Sequence, residues 1–192
     1  MAYPLEREWV VWYSGRAEAG RGRPRGGPPL RGRLGPGRQG EETALRRIGG
    51  FRDIAGLWQY MNNIAPPSKL RQDLSLYIFL AGVEPRWEDP ENSRGGRWTF
   101  SVNNPDMAMA DDVWAVLYLT LVGETFTAND EITGIVATRR RDYARISVWT
   151  KNCADDRAVL RLGADLRAIA AGVALEYQDH GAPFGVNRHA LG

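Results

Sequence analysis

Bulky apolar residues come in short runs along this chain, and the spacing within each run switches between two and three-to-four. Trp9-Val10-Val11-Trp12-Tyr13 is a β-favouring run that ends at Ser14-Gly15, which predicts a strand leading into a loop. Asp53 stands where it can cap a helix whose Ile54, Leu57, Trp58 and Met61 form an i, i+3, i+4, i+7 stripe, and Asn62-Asn63 and Pro66-Pro67 end it. Residues 74–80 are a continuous apolar strand. Trp98, Phe100 and Val102 alternate with Arg97, Thr99 and Ser101, so that strand buries one face. Asp111-Asp112 open a second helix that runs to Gly123. Residues 132–138 and 145–149 make a strand pair with Arg139-Arg140-Arg141 at the turn. Asp155-Asp156 open a third helix, carrying Val159, Leu162, Leu166 and Ile169 and ending at Gly172, and residues 173–177 form a last strand. Antiparallel neighbours around 97–102 and 132–149, with three helices, give an α+β fold: a curved antiparallel sheet with the helices on one face. On this pattern Trp9, Trp12, Trp98 and Trp114 are core, and Trp58 fits the core stripe equally well.

Charge adds a feature that periodicity does not show. The chain has 192 residues, 25 basic and 23 acidic, for a formal net charge of +2. Residues 15–40 hold seven arginines and one acid, a local net of +6, so the remainder carries −4. Twenty of those 26 residues are Gly, Arg or Pro, and a segment so poor in apolar groups buries too little surface to offset its ordering entropy. The expectation is one domain over 1–192 with a flexible Arg/Gly/Pro-rich insertion at 15–40.

Other totals narrow the chemistry. Cys153 alone forms no intramolecular disulfide or cysteine-rich zinc site, and its expected role is a small buried filler. His180 and His189 are the only histidines, too few for a multi-histidine metal centre. No nucleophile–base pair stands out, so the chain reads as a non-enzyme without a cofactor. The apolar run 113–122 is about half a membrane span, and the N-terminus carries no signal-peptide pattern. A monomer in the cytoplasm is expected.

The most informative stretch is residues 82–98, GVEPRWEDPENSRGGRW. Together with Pro4-Leu5, Trp9, Trp12, Leu57-Trp58, Trp114, Gly123-Glu124-Thr125-Phe126, Trp149 and Tyr177-Gln178…His180, it closely resembles the eukaryotic translation initiation factor 4E family, whose members bind the 7-methylguanosine cap of messenger RNA. The resemblance spans the chain except for 15–40. It implies helices on the convex face of the sheet. It also implies capped messenger RNA and a translation initiation scaffold or repressor as partners, and no membrane.

The implied cap-binding residues are Trp87, Glu88, Arg97, Arg140, Arg145 and Trp149. Their chemistry suits the ligand. A methylated guanine is a flat cation that an aromatic face attracts, and stacking is worth about 1–3 kcal/mol. Trp87 resembles one of the family's two stacking tryptophans. A carboxylate such as Glu88 accepts from both donors on the guanine Watson–Crick edge. Arg97, Arg140 and Arg145 resemble the triphosphate cluster, where arginine grips bidentately. Alternation puts Arg145, Ser147 and Trp149 on one face, and Trp149 resembles the tryptophan that touches the N7-methyl group. Without the resemblance, Glu88 is a solvated acid and Arg139–Arg141 a solvated turn. His180 resembles a position near the pocket, with a surface histidine as the equal alternative.

The chain departs from the family pattern at one point. The family has eight recurrent tryptophans and this chain has seven, each at one of those positions. The other stacking tryptophan is missing, and Glu41 stands at its place. Left unreplaced, this costs about 1–3 kcal/mol, roughly 5- to 150-fold in affinity. The alternative function is therefore a degenerate member, an interaction module with weak or lost cap binding. The second surface implied by the resemblance is partner-binding: Pro4, Ile54, Trp58, Ala115, Leu119 and Gly123, where a partner helix lies in an apolar groove. Val116 there replaces a glutamate common in the family.

Overall fold

The structure is a computed structural model, and it describes residues 3–15, 45–183 and 186–192. The 15–40 insertion, apart from Gly15, and Glu41 lie outside the described residues. Eight strands form one antiparallel sheet: β1 (Pro4–Ser14), β2 (Leu45–Asp53), β3 (Ser75–Leu80), β4 (Gly96–Asn103), β5 (Ile132–Arg139), β6 (Tyr143–Thr150), β7 (Leu175–Asp179) and β8 (His189–Leu191). Their order across the sheet is β2-β1-β3-β5-β6-β4-β7-β8. Three helices accompany them: α1 (Ile54–Asn63), α2 (Met107–Val122) and α3 (Asp156–Ile169).

The period-two pattern decides which face the helices cover. Trp9, Val11, Ile78, Ile135, Ile146, Val148, Trp98, Phe100 and Tyr177 share one buried cluster with Leu57 of α1, Leu117 and Leu121 of α2 and Leu162 and Leu166 of α3. The residues between them face the other way and carry a polar ladder. Ser14 Oγ meets Tyr77 Oη at 2.8 Å, Ser75 meets Thr138 at 2.8 Å and Thr99 meets Ser147 at 2.9 Å. A small apolar island of Phe79, Val83, Val136 and Trp149 interrupts this open face. Among the described residues no helix is long and apolar enough to cross a membrane.

Helix termini follow local chemistry. The Asp53 carboxylate accepts from the Gly56 amide at 2.7 Å, and Asp155 accepts from Ala158 at 3.0 Å, each capping the helix that follows. The second helix starts at Met107, four residues before the expected Asp111, because Asp111 is used elsewhere: its carboxylate accepts from the Ser68 amide and hydroxyl at 2.8 and 2.6 Å.

Two strands were not expected, β2 and β8. β2 buries only Phe51 among its nine residues, and β8 is three residues long. Trp12 also differs from expectation. It pairs with Tyr77, one residue out of phase with Trp9 and Val11, and so lies on the open face with its indole half-buried.

Candidate functional site

The loop between β3 and β4 is braced from inside. Asn92 is fully buried, and its side-chain amide donates to the Glu84 and Arg86 carbonyls, both at 2.9 Å. The Asp89 carboxylate accepts from the Glu84 and Glu91 amides at 2.8 and 2.9 Å. Gly95 ends the loop where a Cβ would sit 1.7 Å from the Thr150 carbonyl oxygen, so only glycine lets the loop close on β6. This bracing holds Trp87 out in solvent, 59% exposed, with Glu88 exposed beside it. An indole kept in water by a rigid loop is an unfilled stacking surface.

Arg97, Trp149 and Arg145 share the open face. In the β4–β6 register Arg97 is opposite Trp149 and Ser101 opposite Arg145. Arg97 donates to Gln178 Oε1 at 3.1 Å. Burial, and then the nearby Arg145 charge, pull Arg97 below the usual guanidinium pKa. Arg145 lies over the Tyr143 ring, 5.5 Å from its centroid, and its Nε is buried without a partner among the described residues. Two partly desolvated like charges favour an anion between them. Arg140 stands apart at the β5–β6 turn, where it donates to the Asp73 carboxylate at 2.7 Å.

Trp149 is only 7% exposed. Phe79 meets it edge-on with centroids 5.4 Å apart, and His180 packs against it at 4.2 Å. Burial lowers the His180 pKa to about 4, so the ring behind Trp149 is neutral at pH 7. The sequence pattern left Phe79, Asn92 and Asp89 unassigned. Asn92 and Asp89 stand inside the 82–98 stretch, and Gly134 in mid-strand was a signal for Phe79, whose ring lies 2.5 Å from where a Cβ at 134 would stand. Cys153 is half-buried, and burial followed by Asp179 raises its thiol pKa, leaving an unreactive thiol.

The other expected surface lies on the helical side. Trp58 is 46% exposed, and Ile54, Val116 and Leu119 are exposed as well, so the α1 stripe divides, with Leu57 inside and Ile54 and Trp58 outside. Pro4 is exposed at the start of β1 opposite Asp53, Ala115 is half-buried and Gly123 caps α2. The Ile54 amide donates to the Tyr3 carbonyl at 3.0 Å, and Arg7 binds Glu124 at 2.5 Å. These links tie the β1 terminus to both helices. Phe51 stacks between Tyr60 of α1 and Tyr118 of α2, with centroids 5.6 and 6.1 Å away.

Comparison with known proteins agrees with this geometry. The family model described as eukaryotic initiation factor 4E matches residues 4–188. The "Eukaryotic translation initiation factor isoform 4E" of Nicotiana tabacum is 30% identical over 178 residues, covering 93% of this chain and 80% of that protein. The "Eukaryotic translation initiation factor 4E" of Dictyostelium discoideum is 32% identical over 167 residues, covering 87% of this chain and 60% of its own length. Among solved structures, Ascaris suum eIF4E-3 in complex with the m2,2,7G cap superposes with a TM-score of 0.82 at 25% identity, covering 100% of this chain and 99% of that one. C. elegans eIF4E-3, in complex with the 4E-binding protein Mextli and cap analog, gives 0.81 at 25% identity with full coverage of both chains. With its fold, its braced tryptophan loop and a family match over nearly its whole length, this chain belongs to the eukaryotic initiation factor 4E family.

Proposed function

We propose that this chain binds the 7-methylguanosine 5′ cap of messenger RNA and links it to a helical segment of a translation initiation scaffold or repressor. The observation that carries this reading is Trp87, exposed on a loop that Asn92 and Asp89 brace, with Glu88 beside it. The methylguanine stacks on Trp87, and Glu88 accepts from its Watson–Crick edge. Trp149 offers an edge to the N7-methyl group. Arg97 and Arg145 take the triphosphate, and Arg140 joins them by leaving Asp73. The partner helix lies across Pro4, Ile54, Trp58, Ala115, Leu119 and Gly123, with exposed Val116 adding apolar surface where the family has an acid. The chain acts without catalysis, as one cytoplasmic, monomeric domain over 1–192 with 15–40 as an insertion.

Relatives with cap or a 4E-binding protein bound support both halves of the reading. The test is retention on 7-methylguanosine-triphosphate resin at low salt, with release by free cap analogue and not by unmethylated guanosine triphosphate. No retention, with a scaffold peptide bound equally by wild type and Trp87→Ala, would assign the chain to the interaction-module alternative.

A further inference from the structure

β6 pairs with β4 along all eight residues, but β7 pairs with it only from Gly96 to Thr99. β7 thus leaves the outer edge of β4 beyond Thr99 uncovered, and a cavity of about 850 Å³ fills the gap. That volume is in the range of sites that enclose small ligands. The cavity is divided by charge. Arg97 and Arg145 line its end on the open face, and Arg145 contributes the buried, unpartnered Nε. Asp106 and Glu176 line it as well, and the Asp106 side chain makes no capping bond to α2. Met109 and Val173 supply apolar wall.

This partition selects a ligand with an anionic end and a neutral, donor-bearing body. Phosphates stay with the arginines, because the carboxylates repel them. The carboxylates accept from ribose hydroxyls and from an exocyclic amine, and the apolar side chains take a base face. We propose that this cavity holds the first ribonucleoside joined to the cap triphosphate, with preference for a base bearing an exocyclic amine. The inference rests on the cap reading above. It makes the chain a reader of one nucleotide beyond the cap, through a gap in the sheet rather than through the stacking loop.

The experiment compares m7GTP with m7GpppG, titrated into wild type, Ala174→Phe and Glu176→Gln. Ala174 is an exposed cavity residue ahead of β7, and Glu176 is exposed on the open face, so neither change enters the core. The expected result is that Ala174→Phe weakens m7GpppG by about fivefold or more, the equivalent of one lost contact set, while m7GTP stays within about twofold. Glu176→Gln moves in the same direction by less. A second readout uses the unaltered chain: the Met109 methyl resonance shifts with m7GpppG and stays in place with m7GTP. An unmoved Met109 methyl, or equal effects of Ala174→Phe on both ligands, would overturn the inference. Failure of m7GTP itself to bind wild type would overturn the cap reading, and this one with it.

Discussion

The Arg140 guanidinium binds the Asp73 carboxylate at 2.7 Å, bridging the β5–β6 turn and the segment that enters β3. An incoming triphosphate must displace that carboxylate to recruit Arg140. Both side chains are more than one-third exposed, so the bridge is worth about 1 kcal/mol or less. Asp73→Asn is expected to raise m7GTP affinity by up to about fivefold and leave 7-methylguanosine without phosphates unchanged. Asn tolerates the left-handed backbone at this position, φ 62°. Fluorescence titration at two salt concentrations checks it, since the gain should shrink with salt. A lower m7GTP affinity in the variant would mean that Asp73 positions Arg140 rather than competing for it.

His180 sets an acid limit on stability. Its folded pKa, about 4, lies below the unfolded value near 6.5, chiefly through burial. Arg97 lowers it further, while a backbone bond to Gly96 and the Asp179 charge act the other way. Between those two pH values the unfolded chain binds more protons, so stability falls as pH drops from about 6.5 to about 4. The size is at most about 3 kcal/mol. Thermal unfolding should show His180→Gln losing less Tm than wild type between pH 7 and pH 5. Parallel losses would contradict the burial argument.

Asn92 makes the loop rigid, so its loss should be felt at Trp87. Asn92→Ala strips two buried carbonyls of their donor. A loss of about 1–3 kcal/mol in stability is expected, with weaker m7GTP binding although Trp87 and Glu88 are intact. Denaturant unfolding and cap titration measure the two effects. Unchanged cap affinity would separate loop rigidity from binding.

Trp58 is expected to anchor the partner helix. Trp58→Ala should weaken a scaffold peptide by tenfold or more, corresponding to about 2 kcal/mol, while leaving m7GTP affinity and Tm nearly unchanged. Calorimetry with the peptide decides this. A Tm loss of the size of a core truncation would show that the indole supports the fold instead.

Elements with a strong period were legible in the sequence. The β4 alternation around Trp98 and the α3 stripe through Leu162 and Leu166 both appear in the core as read. β2 was not legible because an edge strand with Arg46, Arg47, Gly49, Gly50 and Arg52 carries no apolar period. The start of α2 was misplaced because Asp111 serves a tertiary bond to Ser68, which no local rule reveals. Trp12 was read as core because size alone says nothing about parity, and the pairing with Tyr77 decides its face. At the site, the resemblance named Trp87, Arg97 and Trp149. The Asp73–Arg140 bridge and the gap beside β4 depend on contacts between segments far apart in sequence.

The central claim is that methylated guanine stacks on Trp87 and is recognised by Glu88. Its most direct measurement is tryptophan-fluorescence titration of wild type, Trp87→Ala and Glu88→Gln with m7GTP and with GTP. The account predicts saturable quenching of wild type by m7GTP, much less by GTP, and a loss of about tenfold or more in affinity in each variant. Equal binding of m7GTP and GTP, or m7GTP affinity unchanged by Trp87→Ala, would contradict it.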